Sequence, residues 1–155
     1  AGATVAATAS TPERAARLRA LGASETPGRA PTPDQAPYDV ILDIVSGPGL
    51  PAFLGLLAPN GRLVSVGAVG GQPPEDFGTH LMTAFQKSLT FATLSLATIP
   101  PDALRTVRTA HFAAATRHEL TPVVHATLPL TEAAAAHAEM DAGRVFGRMV
   151  LTPTN

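Results

Sequence analysis

Nearly continuous apolar runs recur along the chain, and each is followed by a turn and a stretch with helical spacing. The clearest runs are YDVILDIV at 38–45, RLVSVGAVGG at 62–71 and SLTFATLSL at 88–96. Strands that are apolar on both sides are typical of parallel sheets, because helices cover both faces of such sheets. Alternating strands and helices favour the same arrangement. The sequence therefore predicts an α/β fold: an open, mostly parallel sheet with helices on both faces.

The opening stretch AGATVAATASTPERAARLRALGA predicts a further strand that runs directly into a helix. Residues 3–9 are small and apolar, as expected of a buried parallel strand. Either Ser10 or Thr11 can cap the helix, the first through a capping box with Glu13 and the second through the proline that follows it. Gly22 is expected to end the helix.

The rest of the chain continues the alternation without an internal repeat or a second domain, so we expect residues 1–155 to form a single domain. A Pro-rich connection after the first helix predicts a loop, with a short strand near 24–26, and Asn60-Gly61 predicts a turn. The remaining predicted helices are 50–57, 78–87, 101–118 and 131–143, and the remaining predicted strands are 121–130 and 146–153.

Charge and composition exclude several classes of partner. A net charge of −1 gives no electrostatic basis for binding nucleic acid or an anionic membrane. No apolar run reaches the roughly 18 residues that a membrane span needs, and no basic segment precedes an apolar one as in a signal peptide. The expectation is a cytoplasmic protein without nucleic-acid or membrane partners.

The sequence also gives no pattern for a metal site or for hydrolytic catalysis. The chain has five His and no Cys, and no two His are spaced as H-x-x-x-H. No Ser lies in a G-x-S-x-G motif, and no pair of carboxylates is spaced for acid–base work. We therefore expect no metal, and the sequence identifies no catalytic residue.

Ligands of parallel sheets bind at the carboxyl ends of the strands. In dinucleotide-binding folds a carboxylate at the tip of the second strand selects NAD, whereas a small polar residue with a nearby cation accepts the 2′-phosphate of NADP. Here the strand tip carries Ser10, and Arg14 follows one helical turn later. A hydroxyl, helix amides and a guanidinium suit a phosphate dianion. The plainer alternative is that Ser10 only caps the helix and Arg14 is solvated.

Two glycine-containing loops follow other predicted strands. VGAVGG at 66–71 and VSGPG at 45–49 would let a ligand approach the backbone closely, because glycine has no Cβ. Neither loop matches G-x-G-x-x-G, so neither is a phosphate-binding loop in its own right. A surface loop and the start of a helix are the respective alternatives.

Five segments in order resemble the medium-chain dehydrogenase/reductase superfamily. They are GATVAATASTPERAARLRALGA, YDVILDIVSG, LLAPNGRLVSVGAVGG, KSLTF and LPLTEAAAAHAEMDAGRVFGRMVLTP. The similarity covers residues 2–153 and is greatest to the zinc-free branch of quinone oxidoreductases and enoyl reductases. Such proteins combine a GroES-like barrel with a Rossmann domain and pass a hydride from NADPH to an activated C=C bond or a quinone.

The resemblance also implies roles for particular residues. It implies that Ser10 and Arg14 hold the 2′-phosphate, which favours NADPH over NADH. The other cofactor-binding positions that it implies are Ile44, Val45 and Ser46 along the adenosine, Gly67 and Ala68 beside the nicotinamide ribose, Leu94, Ser95 and Leu96 near the carboxamide, and Gly147 and Arg148 near the cofactor.

The chain departs from the family pattern chiefly by omission. The first Rossmann strand, its glycine-rich loop and its helix should lie before Ala1, and the barrel domain is absent as well. We therefore expect a Rossmann-like sheet that lacks its first β-α unit. Either a companion segment supplies that unit or the chain is a piece of a longer protein, and the chain alone should bind NADPH poorly. A smaller departure is Ser46-Gly47, where the family usually has Gly-Gly.

Two other functions remain open at this stage. One is a non-catalytic remnant that kept the fold as a binding or dimerisation module. The other is a methyltransferase-like domain, which is disfavoured because no acidic residue lies at the second strand's tip. The family resemblance further implies a small-molecule substrate and a homodimer formed through the edge strand at 88–96. The identities of the substrate and the proton donor depend on the barrel domain.

Overall fold

The computed structural model describes residues 2–32, 34–35 and 37–153. The chain divides into two compact units, Ala1–Thr98 and Ile99–Asn155. The first unit contains α1 (Pro12–Ala20), β1 (Tyr38–Asp43), α2 (Leu50–Gly55), β2 (Leu57–Ser65), α3 (Phe77–Thr83) and β3 (Thr90–Thr93), with short 3₁₀ turns at Phe85–Lys87 and Leu96–Thr98. The second contains α4 (Pro101–Thr116), β4 (Val124–Pro129), a 3₁₀ turn at Leu130–Glu132, α5 (Ala133–Asp141) and β5 (Arg148–Thr152).

Every strand pair in these sheets is parallel, which confirms the predicted fold class. The first unit has a three-stranded sheet in the order β1-β2-β3, in which Ile41 lies opposite Leu63 and Leu63 opposite Phe91. In the second unit β4 pairs with β5. Helices connect successive strands within each unit, as parallel strands require.

The core of the first unit lies on one face of its sheet. Leu50 and Leu54 of α2 pack with Leu57 and Leu63 of β2, and all four side chains are buried. The partly buried residues around them are Ile41, Phe53, Phe77, Leu81, Leu89 and Phe91. The rings of Phe77 and Phe91 meet edge to face, with their centroids 4.8 Å apart. Helices α2 and α3 therefore cover this face and hold the strands in place.

The opposite face of the same sheet is more open at β1. Because side chains alternate along a strand, Val40 and Leu42 point away from Ile41 and the core. Val40 is 54% exposed and Leu42 is 68% exposed. Within the described residues, β1 hydrogen-bonds to a neighbouring strand along one edge only, which is the edge facing β2.

The predicted first strand at 3–9 is extended, but the expectation that it would be buried is wrong. It pairs in parallel with residues 24–27, through a bridge between Ala6 and Glu25 and a hydrogen bond from the Ala7 N–H to the Glu25 carbonyl of 3.0 Å. Val5 is nevertheless 51% exposed. Among the described residues, the segment has a strand neighbour on one edge only. In place of the short strand expected near 24–26, the structure has a single isolated bridge at Glu25.

Helix α1 uses the second of the two predicted caps. Thr11 is the N-cap, and its hydroxyl accepts the N–H of Arg14 at 3.3 Å. Gly22 ends the helix in a left-handed conformation with φ of 102°. The N–H of Ala23 then bonds the carbonyl of Leu18 at 3.0 Å, as in a Schellman motif. The hydroxyl of Ser10 is not the cap.

The predicted Asn60-Gly61 turn lies within β2 as a bulge. Asn60 has a positive φ of 63°, and the register passes from Tyr38 opposite Leu57 to Val40 opposite Arg62. Asparagine tolerates this backbone region better than other non-glycine residues.

No helix among the described residues is long and apolar enough to cross a membrane.

Lys87 links the end of α2 to the start of β2. Its Nζ donates to the carbonyls of Gly55 at 3.0 Å and Leu57 at 2.9 Å. We expect Lys87→Ala to lower the free energy of unfolding by about 1–2 kcal/mol, because hydrogen bonds from a charged group to two carbonyls are lost. Urea unfolding measures this. Arg108→Ala on exposed α4 is the control and should change stability by less than about 0.5 kcal/mol; equal effects would refute the role of Lys87.

Candidate functional site

The loop after β1 is shaped by the carboxylate of Asp43. This side chain is buried, and its two oxygens accept the N–H groups of Val45 at 3.2 Å and Ser46 at 2.7 Å. Asp side chains commonly fold the following backbone into a turn in this way. Asp43 therefore fixes the direction in which residues 44–46, predicted to lie along the adenosine, leave the strand.

The loops after β1 and β2 are joined through their backbones. The N–H of Val66 donates to the carbonyl of Asp43 at 2.8 Å, and the N–H of Gly70 donates to the carbonyl of Val45 at 2.7 Å. The pairing between the two strands thus continues past their ends. Residues 44–47 and 66–71 form one double loop at the carboxyl edge of the sheet.

Two glycines allow the double loop to close. A Cβ on Gly67 would lie 2.6 Å from the carbonyl oxygen of Ile44. A Cβ on Gly47, where φ is +80°, would lie 2.5 Å from the carbonyl oxygen of Gly70. Atoms that are not bonded cannot approach so closely without backbone movement, so both positions require glycine.

Two serine hydroxyls lie between the loops. The Oγ atoms of Ser46 and Ser65 are 2.6 Å apart. Both also lie within hydrogen-bond distance of the carbonyl oxygen of Gly67, Ser46 at 2.9 Å and Ser65 at 3.1 Å. Ser65 is buried, and Ser46 has a positive φ of 55°. The sequence-based prediction included Ser46 and missed Ser65, although an inward-facing polar residue near a strand end was a usable signal.

The end of β3 reaches the same edge. The N–H of Leu94 donates to the carbonyl of Ser65 at 2.9 Å. The Oγ of Ser95 accepts the N–H of Ala97 at 3.3 Å, which turns the chain away after the strand. The structure therefore brings the predicted positions 94–96 beside the double loop.

The surface of this edge is apolar and carries little charge. In 43–47, 65–71 and 94–96 the only charged side chain is the buried Asp43. The large apolar side chains exposed here are Ile44, Val45, Val66, Val69, Leu94 and Leu96. Most ligand sites combine such apolar walls with a few fixed polar groups.

The remaining predicted cofactor positions lie elsewhere in the chain. Ser10 is exposed before α1, in the first unit, and its hydroxyl makes no hydrogen bond to the described residues. Arg14 is half-buried in the first turn of that helix. Gly147 and Arg148 belong to the second unit. There the Arg148 N–H donates to the carbonyl of Val123 at 2.9 Å, and Gly147 has a φ of 100°.

In the part of the chain that the structure describes, no group of three or more His, Cys, Asp and Glu side chains could hold a metal ion. The groups at the carboxyl edge that could contact a ligand are backbone amides, hydroxyls and apolar side chains.

Comparison with known proteins shows which family the chain matches and which solved structures it resembles. Residues 21–151 match the zinc-binding dehydrogenase family, a match that begins after Ser10 and Arg14. No curated protein matches the chain.

Solved structures resemble nearly the whole chain. A 2-haloacrylate reductase is 28% identical over 99% of this chain and 51% of its own, with a TM-score of 0.79. A quinone oxidoreductase from Pseudomonas syringae pv. Tomato DC3000 is 26% identical over 98% and 50%, with a TM-score of 0.80. A mycobacterial protein solved in complex with NADPH is 25% identical over 98% and 49%, with a TM-score of 0.82.

The chain spans between 42% and 51% of the length of these and other matching structures, an NAD-dependent alcohol dehydrogenase among them. It accounts for part of such a protein and not for the whole. The family match covers most of the chain, and the fold agrees with it. The chain belongs to the zinc-binding dehydrogenase family of medium-chain dehydrogenases/reductases, and its fold matches part of their Rossmann-like domain.

Proposed function

We propose that the chain is the cofactor-binding part of an NADPH-dependent oxidoreductase that transfers a hydride to an activated C=C bond or a quinone. The observation that carries this proposal is the junction of three strand ends at one edge, where the double loop meets residues 94–96. The similarity to a 2-haloacrylate reductase and a quinone oxidoreductase supports the reaction class. When bound, NADPH supplies the hydride.

The edge residues fit a dinucleotide in chemical terms. Gly47 and Gly67 leave backbone open where a side chain could not fit. Apolar Ile44 and Leu94 would shield the adenosine and the nicotinamide from water. Residues 44–46 would then bind the adenosine, and Gly67 and Ala68 would position the nicotinamide ribose. Orientation of this kind is what the protein contributes to hydride transfer.

Ser10 and Arg14 would select NADPH over NADH. Since Thr11 caps α1, the Ser10 hydroxyl is left to meet a ligand, and the positive end of the helix dipole favours an anion there. Arg14 lies in the same turn, with its guanidinium suited to a phosphate. The strand tip itself, Thr8-Ala9-Ser10, carries no carboxylate, and the first acidic side chain after it is Glu13 in the first turn of α1. We also propose Gly147 and Arg148 as cofactor-binding residues.

The open edge and face of β1 would be covered by a further β-α unit, from another segment of the protein or from a companion chain. Val40 and Leu42 are apolar and exposed, and β1 is paired on one edge. That unit would carry the glycine-rich loop that binds the pyrophosphate at a helix N-terminus.

A homodimer would form by pairing of β3 with β3 of a second copy of the chain. Residues 90–93 of β3 lie at the other end of the three-stranded sheet.

A chimera tests this proposal. The N-terminal half of the Pseudomonas quinone oxidoreductase, up to the point aligned with Gly2, is joined to residues 2–155. We expect the chimera to bind NADPH at least about 100-fold more tightly than the 155-residue chain, because several charge-assisted hydrogen bonds to the pyrophosphate are regained. Calorimetry measures both, with the N-terminal half alone as the control. A folded chimera that binds neither NADPH nor NADH would instead indicate the non-catalytic binding or dimerisation module.

A further inference from the structure

Ser46 occupies a backbone conformation that usually belongs to glycine. Its φ is 55°, in the left-handed region, where a Cβ is disfavoured. Glycine would relieve this strain but would remove the hydroxyl. The contacts of the Ser46 hydroxyl therefore decide whether serine has a use at this strained position.

The hydroxyls of Ser46 and Ser65 bind each other and one backbone carbonyl. Two hydroxyl hydrogens serve three contacts: Oγ to Oγ at 2.6 Å, and each Oγ to the Gly67 carbonyl at 2.9 and 3.1 Å. If Ser46 donates to Ser65, then Ser65 donates to Gly67, and the reverse order is equally good. Either way both hydrogens are used inside the protein, so the pair joins the loops and does not need to donate to a ligand.

We propose that the Ser46–Ser65 pair holds the two cofactor-facing loops in their binding arrangement before a ligand arrives. Ser46 belongs to the loop after β1, and Ser65 with Gly67 belongs to the strand end and loop of β2. The backbone bond from Gly70 to Val45 then closes the double loop. Ordering a loop in advance lowers the entropic cost of binding. Both serines are positioning residues, and their effect on NADPH rests on the function proposed above.

Amide hydrogen exchange of the 155-residue chain without ligand tests the loop arrangement. We expect Ser65→Ala and Ser46→Gly each to speed exchange at Gly70 at least tenfold, while exchange at core Leu63 stays within twofold. Ser65→Thr, which keeps the hydroxyl, should restore slow exchange. Thr83→Ala removes a comparable hydroxyl bond, to the carbonyl of Thr79 at 2.9 Å in α3, and should leave Gly70 unchanged. Unchanged exchange at Gly70 in both serine variants would overturn the proposal.

Titration of the same variants with millimolar NADPH, followed by the amide shifts of Gly67 and Gly70, tests the effect on binding. Ser65→Ala should weaken binding three- to tenfold, and Ser65→Thr should recover it. Faster exchange with unchanged affinity would overturn the positioning role. If the unmutated chain and its chimera both fail to bind NADPH, the proposed function fails, whereas exchange at Gly70 still decides whether the pair orders the loops.

Discussion

Gly67→Ala should lower the free energy of unfolding by about 1–3 kcal/mol and abolish measurable dinucleotide binding. The new Cβ would lie 2.6 Å from the carbonyl oxygen of Ile44, so the two loops must separate. Separation also stretches the contacts of the Gly67 carbonyl with Ser46 and Ser65. Urea unfolding gives the stability change, and titration of the chimera with NADPH gives the loss of binding.

Gly78→Ala is the matched control for this substitution. Gly78 lies in α3, where a Cβ would meet no atom within 4 Å. Alanine favours helix over glycine, so this variant should be unchanged or more stable by up to about 1 kcal/mol. If both glycine variants lose the same stability, or if Gly67→Ala keeps full affinity, the close approach of the two loops is not what forms the site.

Arg14→Ala should weaken NADPH binding about 10- to 100-fold while changing NADH binding by less than about twofold. The expected loss is that of one or two charge-assisted hydrogen bonds to a phosphate. NADH lacks the 2′-phosphate and should not respond. Competitive titration of the chimera with both coenzymes measures the two affinities.

Arg19→Ala is the control for the charge of α1, because Arg19 is exposed near the opposite end of the helix. It should alter both affinities little. An equal loss of NADPH and NADH in Arg14→Ala would show that Arg14 supports the fold of α1 and does not read the 2′-phosphate.

Most elements of the fold could be predicted because their signals are local. Gly22 has a positive φ after α1, and Pro101 begins α4, as the sequence indicates. The parallel-strand rule also placed 44–47 and 67–71 at one edge, and the hydrogen bonds of Ser46 with Gly67 and of Gly70 with Val45 confirm that these two loops meet. Whether these residues bind a cofactor stays a prediction.

What escaped prediction depends on neighbours that are distant in sequence. Residues 3–9 have the composition of a buried strand, but burial is decided by what packs against both faces, and composition does not contain that information. Ser65 was missed for the same reason, since its partner Ser46 is 19 positions away. The choice of Thr11 over Ser10 as the cap was undetermined because either hydroxyl has an N–H three residues on to accept, that of Glu13 for Ser10 and that of Arg14 for Thr11.

We propose that the first turn of α1 recognises a 2′-phosphate. Adenosine 2′,5′-bisphosphate tests this proposal on the 155-residue chain. This small ligand contains no pyrophosphate, so its binding does not need the glycine-rich pyrophosphate loop. This ligand should bind at least about tenfold more tightly than adenosine 3′,5′-bisphosphate, which has the same charge, and Arg14→Ala should remove the difference. Equal binding of the two isomers by the unmutated chain, measured by calorimetry, would contradict it.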